Sequence, residues 1–374
     1  MKMIIEERLD RVHGCMAGGA VGDALGYAVE FNNIQEIRSI YGHQGITRYQ
    51  LNHEGVAEIS DDTQMCLFTA NGLLYAYTQR AMQKFTGKES NYFAQAYYEW
   101  FETQTGKKKS HKICWIRDIP GLNHRRAPGT TCMKALRNIY DGKDVMNKSK
   151  GCGGVMRVAP IALYPYQGRD GSAENAREIA RLGAEAAEIT HKHPLGIYPS
   201  AMLVHLIYRI VNNPPNAIIL EDIVEEALSM HEPKAHPKET TYMKELTYKA
   251  MQLSQKDMDD VAAIEQLGGG WTGDEAYAIA VYCTLKYRYD FGKAIVASVN
   301  HTGDSDSTGA ITGNIMGALL GRNAIPDYYT ENMELLPVIE TLAHDLFTGC
   351  VIKKGELVDT PEKKMWWKKY GQAR

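Results

Sequence analysis

Along most of the chain, apolar residues recur every three or four positions. From Thr63 the stripe runs through Met65, Phe68, Leu73, Leu74 and Tyr77, a spacing that collects side chains on one face of an α-helix. Comparable stripes cover Asn91–Phe101, Thr131–Tyr140, Ala173–Thr190, Leu195–Val211, Leu220–Met230, Thr241–Leu253, Asp274–Tyr287 and Phe291–Val299. Alternating runs of β-branched residues, the mark of half-buried strands, are nearly absent. The pattern predicts an all-α chain of about ten or more helices whose facing stripes bury one continuous core. Residues 1–374 are expected to form a single compact multi-helix domain.

Two segments break ordinary helix composition in the same way. Gly14, Gly18, Gly22 and Gly26 recur every four residues, as do Gly309, Gly313, Gly317 and Gly321. Each glycine inside a helix costs about 0.5–1 kcal/mol relative to alanine. A spacing of four places them on one face, where missing side chains let another backbone come close. Both stretches are short and carry Asp, which excludes a membrane helix pair. They are expected to be tightly packed core helices.

Charge narrows the function. The chain has 42 Lys+Arg against 45 Asp+Glu, a net charge of −3, without the basic excess of a nucleic-acid or membrane-surface binder. No apolar run is expected to reach the roughly 18 residues that span a bilayer. The opening Met-Lys-Met-Ile-Ile-Glu-Glu-Arg has too short an apolar core for a signal peptide. The seven cysteines are widely spaced and form no CxxC pair, as expected of reduced thiols in a cytoplasmic protein. Two stretches are locally basic. Gly106–Lys112 reads as a solvated loop, and Glu362–Tyr370 as a terminal helix docking Met365, Trp366 and Tyr370.

Three acidic clusters carry the candidate chemistry. Glu30 follows Gly22-Asp23-Ala24-Leu25-Gly26. Ser60-Asp61-Asp62-Thr63 opens one helix, and Asp304-Ser305-Asp306-Ser307-Thr308 opens the second glycine helix. Asp and Ser at a helix start ordinarily cap free N–H groups, but these clusters hold more oxygen than capping uses. Together they read as a hard-cation site, since Mg²⁺ and Mn²⁺ prefer carboxylate, hydroxyl and water oxygens. No Cys or His falls at structural-zinc spacing. Gathered carboxylates without a cation would raise one another's pKa values.

Two glycine turns suggest anion recognition. Lys150-Gly151-Cys152-Gly153-Gly154-Val155-Met156-Arg157 is a loop whose backbone N–H groups would approach a phosphate, and Arg125–Thr131 is a similar turn ahead of a helix. His191 and His193, in Thr-His-Lys-His-Pro, read as caps at a helix C-terminus. Asp274-Glu275, after Gly268-Gly269-Gly270-Trp271, either faces the cleft or starts a helix, and the helix start is the favoured reading.

Taken in order, Gly22–Gly26 with Glu30, Ser60–Thr63, Gly151–Arg157, Thr190–Pro194 and Gly303–Gly309 resemble the ADP-ribosylglycohydrolase family. That family includes the dinitrogenase reductase-activating glycohydrolases and the vertebrate ADP-ribosylarginine hydrolases. The matching core runs from about residue 13 to 322, and residues 325–374 form a C-terminal helical extension. The resemblance implies an all-α fold around a binuclear Mg²⁺ or Mn²⁺ cleft, with Ser60, Asp61, Asp62, Asp304, Asp306 and Ser307 as ligands. Glu30 matches the family's mobile acidic residue. Gly151, Cys152, Gly153 and Gly154, with Gly129, Thr130 and His191, would line the diphosphate and ribose path.

Cys152 and the Asp-Ser-Asp-Ser run look closer to the arginine-directed branch than to the serine-directed one, where Asn and Thr are usual. The implied reaction is metal-dependent hydrolysis of the N-glycosidic bond of ADP-ribosylarginine, with Asp61, Asp62 or Glu30 as general base. The implied partner is a mono-ADP-ribosylated protein or an ADP-ribose-containing small molecule, met by a monomer. Three alternatives stay open: another acceptor (serine, a nucleobase or a free ADP-ribose derivative), a crystallin-like structural relative, and a metal-dependent phosphoesterase. Phe85–Arg125 and Ile325–Arg374 depart from the family pattern and are candidates for selecting the target.

Overall fold

A computed structural model describes residues 5–107, 111–230 and 235–372. The described residues form fifteen α-helices: α1 (Ile5–Tyr27), α2 (Ile34–Tyr41), α3 (Asp61–Ala81), α4 (Glu89–Thr105), α5 (Thr130–Tyr140), α6 (Ala173–Glu188), α7 (Pro194–Val211), α8 (Leu220–Leu228), α9 (Pro237–Ser254), α10 (Asp260–Ile264), α11 (Gly273–Lys286), α12 (Phe291–Val299), α13 (Ser305–Leu320), α14 (Leu336–Thr348) and α15 (Pro361–Tyr370). No strand occurs among them, only the isolated bridges Ala57–Met333 and Gly151–Thr272. Every stripe read from the sequence lies on a helix. The unpredicted α2 and α10 are too short for a clear period, whereas α14 carries a legible stripe at Ile339, Leu342, Ala343 and Leu346.

The glycine helices α1 and α13 lie antiparallel, face to face at the centre. A Cβ on Gly14 would overlap Gly317 O, one on Gly18 would overlap Gly313 O, and one on Gly22 would overlap Gly309 O. The relation is reciprocal from the α13 side. Backbone therefore packs on backbone, and close approach offsets the propensity cost of the glycines. Asn314 Nδ2 donates to Cys15 O at 2.8 Å across the seam. One hydrophobic cluster surrounds this pair and reaches from Val12 to Tyr370.

Two expectations need correction. α7 is an 18-residue helix of mean hydropathy 1.2, long and apolar enough to cross a membrane, but 78% of it is buried inside the protein. Its apolar surface covers both sides of a central helix that packs on α6, α8 and α11. In α15, Trp366 and Tyr370 are buried as expected, whereas Met365 is 65% exposed. Trp366 Nε1 donates to Thr78 Oγ1 at 2.9 Å, and Tyr370 OH donates to Asp345 Oδ2 at 2.5 Å, so the polar tips of the two rings fix the helix face and leave Met365 outside. Of the basic stretch Gly106–Lys112, residues 108–110 lie outside the described residues, and Lys112 pairs with Asp118.

Candidate active site

Antiparallel packing of α1 on α13 carries the end of α1 to the start of α13: a Cβ on Gly26 would overlap Ser305 O. The start of α3 meets them there through Asp23. This fully buried α1 carboxylate accepts from Ser60 N at 3.0 Å and from Thr63 N at 3.0 Å, so a residue of one helix caps another. Ser60 adds the local cap, its Oγ accepting from Asp62 N at 3.1 Å. Asp304 caps α13, accepting from Ser307 N at 3.4 Å. The sequence motif contained Asp23, but its capping role depends on a contact 37 residues distant along the chain.

Glu30, Asp304 and Asp306 offer carboxylate oxygens that all lie within 4.8 Å of one another, and all three residues are buried. Ser307 Oγ donates to Asp62 Oδ2 at 2.8 Å, which ties α13 to α3. Asp61 Oδ2 accepts from Gly129 N at 3.2 Å, and Asp61 N donates to Arg126 O at 3.0 Å, so the Pro128–Thr131 turn positions Asp61. Cys152 Sγ donates to Asp304 Oδ2 at 2.8 Å, which brings the glycine loop to the same cluster.

Burial, followed by the charge of Asp306, pushes the Glu30 carboxyl up to about 9 and the Asp23 carboxyl to about 7. The same two causes raise Asp61, Asp62 and Asp304 well above the ordinary carboxylate range. For Asp23 the hydrogen bonds from Ser60 and Thr63 work in the opposite direction, and burial wins. Glu30 Oε2 is buried without any hydrogen-bond partner. An orphaned buried carboxylate oxygen amid like charges is costly, and an oxygen-preferring divalent cation relieves both the repulsion and the missing bond. The donor set, carboxylates with serine hydroxyls, fits such an ion.

The Gly151–Arg157 loop forms a short 3₁₀ turn at Cys152–Gly154. Its glycines have packing reasons: a Cβ on Gly153 would fall 2.8 Å from Cys132 Sγ, and one on Gly154 would fall 2.5 Å from Gly196 O. Four of its amides are committed internally: Gly151 N to Ser149 Oγ at 3.2 Å, Cys152 N to Trp271 O at 3.2 Å, and Val155 N and Met156 N to Cys152 O at 2.9 and 3.2 Å. His191 Nε2 would lie 3.2 Å from a Cβ on Gly151, so the imidazole backs the loop. Burial first, then Arg157, lowers its pKa to about 3, which keeps the ring neutral.

At the end of α6 the His191 backbone N donates to Ala187 O at 3.0 Å, but neither histidine side chain caps a helix C-terminus. His193 instead begins α7, its Nδ1 accepting from Leu195 N at 3.2 Å, because Pro194 starts a new helix immediately. Arg157, at the end of the glycine-loop motif, is fully buried over the Tyr97 ring at 4.2 Å and donates to Thr190 Oγ1 at 2.7 Å, which ties the loop to the end of α6. Thr130 begins α5 and is exposed beside Gly129. Asp274 and Glu275 occupy the first turn of α11.

Comparison with known proteins bears on this arrangement. Residues 5–355 match the sequence model of the ADP-ribosylglycohydrolase family. The chain is 25% identical to ADP-ribosylhydrolase ARH3 of Mus musculus, over 90% of this chain and 91% of that protein. It is 23% identical to the ADP-ribosyl-[dinitrogen reductase] glycohydrolase of Rhodospirillum rubrum, over 87% of this chain and 91% of the other. An uncharacterised protein of Archaeoglobus fulgidus is 27% identical over 90% of this chain and 96% of its own length. Among solved structures, a chain of an "ADP-ribosylglycohydrolase-related protein complex" superposes with a TM-score of 0.54 at 22% identity, over 92% of this chain and 99% of that one, which supports the fold. The family match over nearly the whole length makes this chain a member of the ADP-ribosylglycohydrolase family.

Proposed function

We infer that this hydrolase removes mono-ADP-ribose from modified protein side chains by cleaving the N-glycosidic bond of ADP-ribosylarginine, with two Mg²⁺ or Mn²⁺ ions as cofactors. The observation that carries the reading is the convergence of Glu30, Asp304 and Asp306 within 4.8 Å, beside Asp62 and the hydroxyl of Ser307. Five acidic residues maintained in burial despite mutual repulsion are hard to explain in a purely structural relative.

Ser60, Asp61, Asp62, Asp304, Asp306 and Ser307 would hold the ions. Divalent cations bound there would supply Lewis acidity and lower the pKa of water. The chain's own residues do the rest. Asp23 holds the α3 start in place through Ser60 N and Thr63 N. The turn at Gly129 and the loop at Gly151–Gly154 line the path of the diphosphate and ribose, with neutral His191 behind. Cleavage passes through an oxocarbenium-like state at the ribose C1″ as the C1″–N bond breaks and the guanidine group of the arginine leaves. One of Glu30, Asp61 and Asp62, in its ionised form, takes the proton from the attacking water.

The arginine linkage is favoured by Cys152, which donates to Asp304, and by Ser307 in the Asp-Ser-Asp-Ser run. We further propose a cytoplasmic monomer that keeps its thiols reduced. The test is parallel incubation with arginine-linked and serine-linked mono-ADP-ribosylated proteins in Mg²⁺ or Mn²⁺, with released ADP-ribose followed by chromatography. Consumption of the arginine-linked substrate is the expected result. Consumption of the serine-linked substrate alone would overturn the linkage, and release of inorganic phosphate instead of ADP-ribose would overturn the reaction class.

A further inference from the structure

Trp271 is 48% exposed, yet its loop is anchored to the buried acidic cluster. Its carbonyl accepts from Cys152 N at 3.2 Å, and the Cys152 thiol donates to Asp304 Oδ2 at 2.8 Å. Two residues earlier, Gly269 O accepts from Asp304 N at 2.8 Å, while Gly269 N donates to Glu275 Oε2 at 3.2 Å. Gly268 and Gly270 adopt φ of +123° and +79°, conformations that favour glycine and fold the loop back on this anchor. The indole leans on its own loop: a Cβ on Gly269 would lie 3.0 Å from Trp271 Cδ1.

Asp274, three residues on, is 2% exposed, and its Oδ1 has no hydrogen-bond partner. A second exposed ring, Phe31 at 73%, follows Glu30 on a loop held to the same segment, where Ile34 N donates to Thr302 Oγ1 at 3.0 Å. Two solvent-facing aromatic side chains thus stand on loops tethered to Thr302–Asp304, the segment that leads into the acidic cluster. An exposed indole face suits a flat, weakly hydrated cation, and guanidinium has that chemistry.

We propose that Trp271 is the leaving-group platform: its indole face receives the guanidinium of the modified arginine and makes this residue a determinant of arginine over serine linkage. The proposal rests on the hydrolase reading above. A serine hydroxyl has neither the charge nor the plane to use the ring, so the platform contributes to one linkage and not the other.

The experiment compares wild type with Trp271→Ala and Trp271→Phe in three measurements: KM and kcat on arginine-linked and serine-linked substrates, the Kd of ADP-ribose, and quenching of tryptophan fluorescence by agmatine, a free guanidinium, in the presence of ADP-ribose. Trp271→Ala should raise the arginine-to-serine KM ratio roughly 3- to 30-fold, the range of a cation–π contact, with kcat changed less. Trp271→Phe should recover most of that loss. ADP-ribose affinity should change by less than about twofold, because the product lacks the leaving group. Agmatine should quench the wild type saturably and leave Trp271→Phe unquenched. An unchanged KM ratio, or an equal loss of ADP-ribose affinity, overturns the platform. A wild type that cleaves neither substrate overturns the hydrolase reading instead. Agmatine quenching then decides the platform by itself: saturable quenching upholds it, and no quenching overturns it.

Discussion

Asp23 shows how a single side chain sets the geometry of the site. It accepts from Ser60 N and Thr63 N at the helix start that presents Asp61 and Asp62. In Asp23→Ala these two buried donors lose their acceptor, at a cost of about 2 kcal/mol or more, and relief of repulsion from Asp306 offsets only part of it. We expect a lower urea midpoint together with reduced turnover, and a smaller loss on both counts in Asp23→Asn, which keeps one acceptor oxygen. Asp304 and Asp61 behave differently because they face the cluster. Asp304→Ala or Asp61→Ala should lower turnover at least about 100-fold while far-UV circular dichroism stays that of the native helical fold. Full activity in either variant would refute the site.

Among the helices, the contact between α1 and α13 governs the rest, because Gly14, Gly18 and Gly22 face Gly317, Gly313 and Gly309 with no room for a Cβ. Gly18→Leu or Gly313→Leu improves helix propensity by about 1 kcal/mol. The added side chain must nevertheless displace a backbone carbonyl, so net destabilisation of about 3 kcal/mol or more is expected in chemical denaturation. Unchanged stability in both variants would mean that the two helices do not approach so closely.

A second effect at this scale comes from α7. His205 is fully buried, its Nε2 lying 3.3 Å from Glu226 Oε2 on α8. Burial lowers its pKa to about 4, outweighing the contribution of Glu226, while Arg209 and Arg177 push the same way as burial. The folded state therefore resists the proton that the unfolded chain accepts near its ordinary pKa of about 6.5. Stability from this group is complete above that pH and is lost on acidification toward about 4, at about 1.4 kcal/mol per pH unit. Between pH 6.5 and 5, wild type should lose about 2 kcal/mol more than His205→Gln, measured as the difference between their urea midpoints at the two pH values.

For the whole molecule, the buried carboxylates oppose folding until a cation joins them. Mg²⁺ or Mn²⁺ that binds the folded state alone stabilises it by about 2.7 kcal/mol at a hundredfold excess over Kd. The melting temperature of EDTA-treated protein should rise on adding either ion, and Asp304→Ala should show little rise. The helices were legible wherever a stripe runs for three turns or more, as in α3 and α6, and the α1–α13 seam was legible as two four-residue glycine periods. α2 and α10 were not, since one or two turns carry too few apolar positions to show a period.

The site divides in the same way. Its acidic residues stood out as local excesses of oxygen at helix starts. The capping of α3 by Asp23, the tie from Cys152 to Asp304 and the burial of Arg157 over Tyr97 depend on contacts between residues far apart in the chain. No local spacing records those contacts. The apolar stretch of α7 misled for a related reason, because composition does not distinguish a helix covered by other helices from one covered by lipid.

The most direct test is to strip the protein with EDTA, titrate Mn²⁺ or Mg²⁺ back, and follow ADP-ribose released from an arginine-linked mono-ADP-ribosylated protein. Wild type should release none in EDTA and recover with saturation as metal is added, and Asp304→Ala should not recover. Release at full rate in EDTA, or equal recovery in Asp304→Ala, would refute the metal-dependent site.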